Sequence, residues 1–256
     1  MIKAVFFDID GTLLSFKTHR LSEGTIRAFE ELHNRGILTF ISTGRPRQII
    51  PQMPVSFDGY ITMNGGYVFV GDEVLFKRPI PQQSAEKWLR YAQEQGITTL
   101  TFMPDAICIN KQDPVVTAMR AQLDFEMLDV WSLDRTLGRE VCQFIVIQPQ
   151  DKDAQLLAML PDCSLPRWHP AFSDLIAKEN SKAVGMQKIM DRFGIQREET
   201  MAFGDGGNDV EMLRFAGIGV AMGNASDEVK KEADYVTTDV DNEGIWNALQ
   251  KFVFGR

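Results

Sequence analysis

Residues 4–12 read Ala-Val-Phe-Phe-Asp-Ile-Asp-Gly-Thr, four apolar residues that run directly into two carboxylates, a glycine and a threonine. A short continuous apolar run reads as a strand buried on both faces, the pattern of a parallel sheet. Asp8 and Asp10 fall just past its carboxyl end, where open α/β sheets bind ligands. Two carboxylates beside a buried strand are costly unless they are paired or hold a cation. Gly11 lets the chain turn sharply there and come close to a ligand.

Working outward, Ser22 caps a helix whose apolar positions include Ile26, Phe29 and Leu32, and Gly36 ends it. Ile37 to Ile41 is a second buried strand, running into Ser42-Thr43-Gly44-Arg45. Strand, helix, strand in this order is a βαβ unit. Tyr60 to Met63 reads as a third strand, and the runs YVFV and EVLFK around Gly71-Asp72 read as a hairpin. Pro79 and Pro81 then mark a boundary.

Between residues 81 and 180 helical stretches (84–95, 114–122, 154–160) alternate with strand-like ones (98–102, 106–109, 143–147). After Asn180 the first texture returns. Lys182 to Phe193 is helical and ends at Gly194, and Met201 to Phe203 is a short buried strand. A helix at 208–215, strands at 218–221 and 235–237, a helix capped by Ser226 and a last helix at 244–252 complete the pattern. The expected fold class is α/β. A Rossmann-like parallel-sheet core with helices on both faces is built from residues 1–80 and 181–256, and a smaller α/β domain is inserted at 81–180.

Composition bounds the function. With 44% apolar and 24% charged residues the chain is an ordinary globular sequence. Its net charge of −8 argues against nucleic-acid or membrane-surface binding, which need basic patches, but leaves room for a small anionic substrate in a local basic pocket. Cys108, Cys142 and Cys163 fit neither a zinc motif nor a disulfide framework. No apolar run approaches the ~20 residues of a membrane span, and the N-terminal residues lack the apolar region of a signal peptide. The expected setting is the cytoplasm, with no obligate protein partner.

A second acidic cluster, Phe203-Gly204-Asp205-Gly206-Gly207-Asn208-Asp209, also follows a buried strand. Asp205 and the first cluster together supply the hard oxygen ligands that Mg²⁺ prefers. Thr43, with the backbone N–H groups of Gly44 and Arg45, could hold a phosphoryl oxygen or form only a loop. A phosphate site needs a cation. Lys182 stands where the sheet resumes, with Lys178 and Lys188 as nearby competitors that spacing does not exclude.

These elements, in this order, resemble the haloacid dehalogenase-like phosphatases. The match runs through Asp8-Ile9-Asp10-Gly11-Thr12-Leu13, Thr43 in ISTGR, Lys182 in NSK and the GDGGND loop, with Ala183 where the family often has glycine. The mid-chain insert resembles the type IIB cap, and the whole chain resembles the Cof-type branch, whose members include bacterial hexose-phosphate phosphatases. The resemblance implies Asp8 as covalent nucleophile and Asp10 as general acid and base. It implies Mg²⁺ on the Asp8 carboxylate, the Asp10 carbonyl and the Asp205 carboxylate. It further implies Thr43 and Lys182 on phosphoryl oxygens, Asn208 positioning the phosphate, and Asp209 orienting Lys182 or a metal-bound water. A small phosphorylated metabolite, foremost a sugar phosphate, is the expected substrate. Asn64, Arg45, Trp168 and His169 are candidates for contacts to it, His169 more as a structural residue. A phosphomutase on the same scaffold and a non-catalytic sugar-phosphate-binding regulator are the alternatives.

Overall fold

The computed structural model describes every residue except Met127, Trp168 and Arg256, so the Trp168 candidate lies outside the described residues. The opening stretch forms strand β1 (Ala4–Phe7), with all four residues buried. It is followed by α1 (Glu23–Asn34), β2 (Leu38–Ser42), β3 (Gly59–Thr62), and the pair β4 (Tyr67–Val70) and β5 (Glu73–Lys77). The next segment contributes α2 (Gln82–Glu94), β6 (Thr99–Phe102), β7 (Ile107–Ile109), α3 (Pro114–Leu123), α4 (Leu133–Thr136), β8 (Gln143–Ile147), α5 (Asp153–Met159), β9 (Cys163–Ser164) and β10 (Phe172–Ala177). The chain then supplies α6 (Lys182–Phe193), β11 (Thr200–Gly204), α7 (Val210–Phe215), β12 (Ile218–Ala221), α8 (Asp227–Lys230), β13 (Tyr235–Val236) and α9 (Gly244–Leu249).

Eight strands make a large sheet in the order β13-β12-β11-β1-β2-β3-β4-β5. Pairing is parallel from β13 through β3 and antiparallel between β3 and β4 and between β4 and β5. β1 is interior to it, between β2 and β11. Alternate β1 residues face opposite sides, as the strand period of two requires. Val5 and Phe7 pack with Phe29 and Leu32 of α1 and with Ile245 and Leu249 of α9. Ala4 and Phe6 pack with Met186 and Ile189 of α6 and Leu213 of α7. Helices therefore cover both faces. Burying a Phe side chain is worth about 1.5–3 kcal/mol, so Phe6 and Phe7 fix the register of the strand that ends at Asp8.

Five strands make a smaller, wholly antiparallel sheet in the order β7-β6-β8-β10-β9, all from residues between β5 and α6. β10 is a buried strand that the sequence reading left unassigned, since Asp174 interrupts its apolar run. The two passages of chain between the sheets lie side by side. The Asn180 amide donates to the Arg78 carbonyl at 2.9 Å, and Arg78 donates to the Glu179 carbonyl at 3.1 Å. Gly65 sits at φ +87°, and a Cβ there would fall 2.0 Å from the Ser181 carbonyl oxygen, so only glycine fits this approach.

Candidate active site

The carboxyl ends of β1, β2 and β11 and the start of α6 converge. Asp8 is the first residue past β1, and its N–H donates to the Phe203 carbonyl of β11 at 3.0 Å. Ser181 caps α6 by accepting from the Val184 N–H, which sets Lys182 as the first helical residue. The Lys182 ammonium is wholly buried and lies 2.6 Å from Asp8 Oδ1 and 2.5 Å from Asp209 Oδ1. Lys178 is exposed, and Lys188 lies beside the Phe76 ring. Of the three candidates, Lys182 is the one brought to the acids.

Asp209 organises its own loop. Its second oxygen accepts the N–H groups of Asp205 and Gly206 at 3.0 and 2.9 Å. Asp205 accepts from the Thr12 hydroxyl at 2.8 Å and from the Asn224 amide at 3.2 Å, and Asn224 also donates to the Gly11 carbonyl at 2.8 Å. Gly11 is at φ +86°, and a Cβ there would lie 2.2 Å from an Asp205 oxygen. Neither Thr12 nor Asn224 had been given a role from sequence. The available signal for Asn224 was its place just past β12, the next carboxyl end along the sheet.

Thr43 is buried at the end of β2, and its hydroxyl accepts the Arg45 N–H at 3.1 Å. Arg45 does not lie free at the mouth of the site. Its guanidinium forks onto Asp10, Nε to Oδ2 and Nη2 to Oδ1, both at 2.7 Å. Asn208 donates to Asn64 Oδ1 at 3.0 Å. Asn64 in turn donates to Asp174 at 2.7 Å and to Gln143 at 3.0 Å, and Gln143 donates to the Gly44 carbonyl at 3.1 Å. Gly44 is close to both, since a Cβ there would lie 3.3 Å from Asn64 Nδ2 and from an Asp174 oxygen. Asp174 and Gln143, both from the small sheet, were missed from sequence. His169 stacks on Phe172 with centroids 4.2 Å apart, and its Nδ1 accepts the Ala171 N–H.

A cavity of about 880 Å³ lies over these groups. Asp8, Asp10, Thr43, Gly44, Asp205 and Asn208 line it from the large sheet. Phe102, Met119, Phe125, Ile145, His169 and Asp174 line it from the opposite side. The carboxylates of Asp8, Asp10 and Asp205 gather at one end, and apolar and polar side chains together line the rest, a form suited to a small polar molecule.

Electrostatics show what the site lacks. Carboxylate oxygens of Asp8, Asp205 and Asp209 lie within 4.8 Å of one another. Burial, together with Asp209, Asp205 and Asp10, raises the Asp8 carboxyl well above its ordinary range in spite of Lys182. Burial and then Asp209 push Asp205 up to about 7, against the Thr12 hydrogen bond and Lys182. Burial disfavours charge on Lys182, but Asp209 and Asp8 outweigh it and raise its pKa. One ammonium is too little positive charge for three carboxylates. An all-oxygen donor set short of positive charge fits a hard divalent cation. Asp209 enters this cluster, whereas the Asp10 carboxylate is turned to Arg45.

The family model for haloacid dehalogenase-like hydrolases matches residues 5–249. The chain belongs to that family. YkrA of Bacillus subtilis (strain 168), which carries a phosphatase name, is 32% identical over 97% of both chains. The sugar phosphatase BT4131 of HAD subclass IIB superposes with a TM-score of 0.92 at 41% identity, covering 98% of each chain. BT1666 of Bacteroides thetaiotaomicron, described among the phosphatases of this superfamily, superposes at 0.88 with 36% identity over 98% of this chain and 95% of its own. This haloacid dehalogenase-like hydrolase is a phosphatase, a phosphoric monoester hydrolase, and it carries the acidic cluster at the carboxyl edge of its sheet.

Proposed function

We propose that the protein is a Mg²⁺-dependent phosphatase of small phosphorylated metabolites, foremost hexose phosphates, acting through an aspartyl-phosphate on Asp8. The observation that carries this reading is the buried contact of Lys182 with Asp8 at the polar end of the cavity. It holds a carboxylate in place beside a cation able to receive phosphoryl oxygens. The likeness to the sugar phosphatase BT4131 supports the substrate class.

Asp8 attacks phosphorus in line, forming its O–P bond as the bond to the leaving oxygen breaks. Lys182, the Thr43 hydroxyl and the backbone N–H groups beside it hold the phosphoryl oxygens, and Asn208 positions them. Asp10 gives its proton to the leaving alkoxide. It then takes a proton from the water that attacks the aspartyl-phosphate, freeing Asp8 and inorganic phosphate. Such acid–base assistance is worth about 10²–10⁴-fold. The Asp8 and Asp205 carboxylates and the Asp10 carbonyl would hold Mg²⁺, with Asp209 adjacent. When bound, the ion offsets repulsion between the carboxylates and the incoming phosphate dianion.

Residues 81–180 act as a cap over a core formed by 1–80 and 181–256, excluding water from the cavity during turnover. Three buried, unpaired cysteines suit a reducing cytoplasm. Among the described residues, no helix is long and apolar enough to cross a membrane.

The test is a phosphate-release screen over sugar phosphates, nucleotides and cofactor phosphates, with and without Mg²⁺. Turnover should require Mg²⁺, favour sugar phosphates and vanish in Asp8→Asn. Full activity in that variant would overturn the nucleophile. Isomerised sugar phosphate without free phosphate would indicate a mutase.

A further inference from the structure

We infer that Arg45 is a positioning residue, one that aligns the Asp10 carboxyl and is itself braced by the cap when the cap is closed. The inference rests on Asp10 acting as the acid and base proposed above.

A guanidinium has five N–H donors in a rigid planar fork. In Arg45 four hydrogen bonds engage that fork. Nε and one Nη2 proton bind the two oxygens of Asp10 at 2.7 Å each. Nη1 donates to the Ile49 carbonyl at 2.9 Å, and Nη2 donates also to the Leu123 carbonyl at 2.6 Å. Arg45 is only 6% exposed. Four of its five donors are committed to the protein, so it is poorly placed to bind a phosphate or a sugar.

The Leu123 carbonyl gives the arrangement its meaning. Leu123 is the last residue of α3, in the small-sheet half of the molecule, and Asp124 turns out of the helix at φ 49°. The last carbonyls of a helix have no partner within it and carry its negative dipole end. Arg45 supplies both a donor and a positive charge there. The same guanidinium is therefore shared between the end of a cap helix and the acid–base carboxylate of the core. If the cap swings away, Arg45 loses the Leu123 carbonyl. The fork that fixes Asp10 then keeps only its core contacts, Asp10 itself and Ile49. Closure in this way braces the fork that aligns the acid–base carboxylate.

The test compares two leaving groups. p-Nitrophenyl phosphate expels an oxygen that needs little protonation, whereas glucose 6-phosphate expels an alkoxide that must receive the Asp10 proton. For Arg45→Ala we expect kcat/KM on glucose 6-phosphate to fall by about 10²-fold or more, with a loss on the aryl ester smaller by about tenfold or more. Inhibition by inorganic phosphate should persist at near wild-type concentrations. Arg45→Lys should rescue little, since one ammonium cannot make the fork. Equal losses on both esters, or weaker phosphate inhibition in step with the loss of kcat/KM, would overturn the inference. Either result with an active wild type leaves the phosphatase reading standing. Absence of turnover by the wild type on both esters would instead remove that reading, and this inference with it. Amide hydrogen exchange in residues 119–126 should quicken in Arg45→Ala. Unchanged exchange there would refute the link to the cap.

Discussion

The side chains of Asn208 and Asn64 meet, with Asn208 Nδ2 donating to Asn64 Oδ1 at 3.0 Å. This contact joins the loop past β11 to the turn past β3, and Asn64 passes it on to Asp174 and Gln143 of the small sheet. Asn64 holds a left-handed conformation, φ 51° and ψ 41°, and is almost wholly buried. Asn64→Gly keeps the backbone but removes one donor and one acceptor group. It should cost about 1–3 kcal/mol for the polar partners it leaves behind. Asn64→Ala should cost about 1–2 kcal/mol more for the left-handed backbone. Urea unfolding curves of the two variants give both differences, and equal midpoints would show that the conformation carries no strain.

Lys182 is the sole ammonium within hydrogen-bonding reach of Asp8 and Asp209 among the described residues. Removing one partner of a buried ion pair leaves charge without compensation, a loss of about 3–5 kcal/mol. Lys182→Met should therefore unfold at lower temperature than wild type in the metal-free state. Added Mg²⁺ should restore more of Tm in the variant than in wild type, because the acids then have a cation. Equal Mg²⁺ shifts in calorimetry would contradict this account.

Asp205 gives the metal-free protein a defined pH dependence. Its pKa is about 7 in the fold, through burial first and Asp209 second, against an ordinary 3.8. Between those values the folded chain binds more protons than the unfolded chain, so stability falls as pH rises across the window. Asp8 shifts in the same direction. Asp205→Asn resembles the protonated acid and lacks this penalty. Without metal, wild type should be the less stable of the two at pH 8 and should draw level as pH falls toward 4. Saturating Mg²⁺ should flatten the wild-type curve. A difference in Tm that does not vary with pH would refute the assignment.

Gly11→Ala places a methyl group where an Asp205 oxygen now lies, on a backbone at φ +86°. Asp205 must then give way, losing its Thr12 and Asn224 partners. Mg²⁺ affinity should drop by about 10–100-fold, the usual effect of disturbing groups that orient metal ligands. Isothermal titration with Mg²⁺ measures it, and unaltered affinity would mean that the close approach has no bearing on the metal.

The parts legible in the sequence were those governed by local patterns. The apolar run at 4–7 and the acids after it placed Asp8 correctly at a sheet edge, and the helical pattern ended by Gly194 placed Lys182 at a helix start. What stayed hidden depends on residues far apart in the chain. Spacing could not choose Lys182 over Lys178, because the choice is made by Asp8 and Asp209 across the fold. β10 was unreadable since its middle residue, Asp174, is a charge that the period-two and apolar-run rules both reject. Asp174 accepts from Asn64, a partner 110 positions away. Arg45 was readable as a functional candidate but not as a partner of Asp10, for the fork requires β1 and β2 to be neighbours.

The place of β1 between β2 and β11 also sets a timetable for synthesis. β2 emerges soon after β1, but β11, which supplies the other edge, is among the later segments made. Thr12 and Asp205, which hydrogen-bond in the finished site, are 193 positions apart. Contacts of such long range form slowly and leave hydrophobic edges open meanwhile. A nascent chain halted anywhere before β11 would expose the Phe6–Phe7 edge of an unfinished sheet, with Asp8 present but Asp205 and Asp209 not yet made. Until that late segment docks, the growing polypeptide is inert toward the cell's phosphoesters and exposed to aggregation.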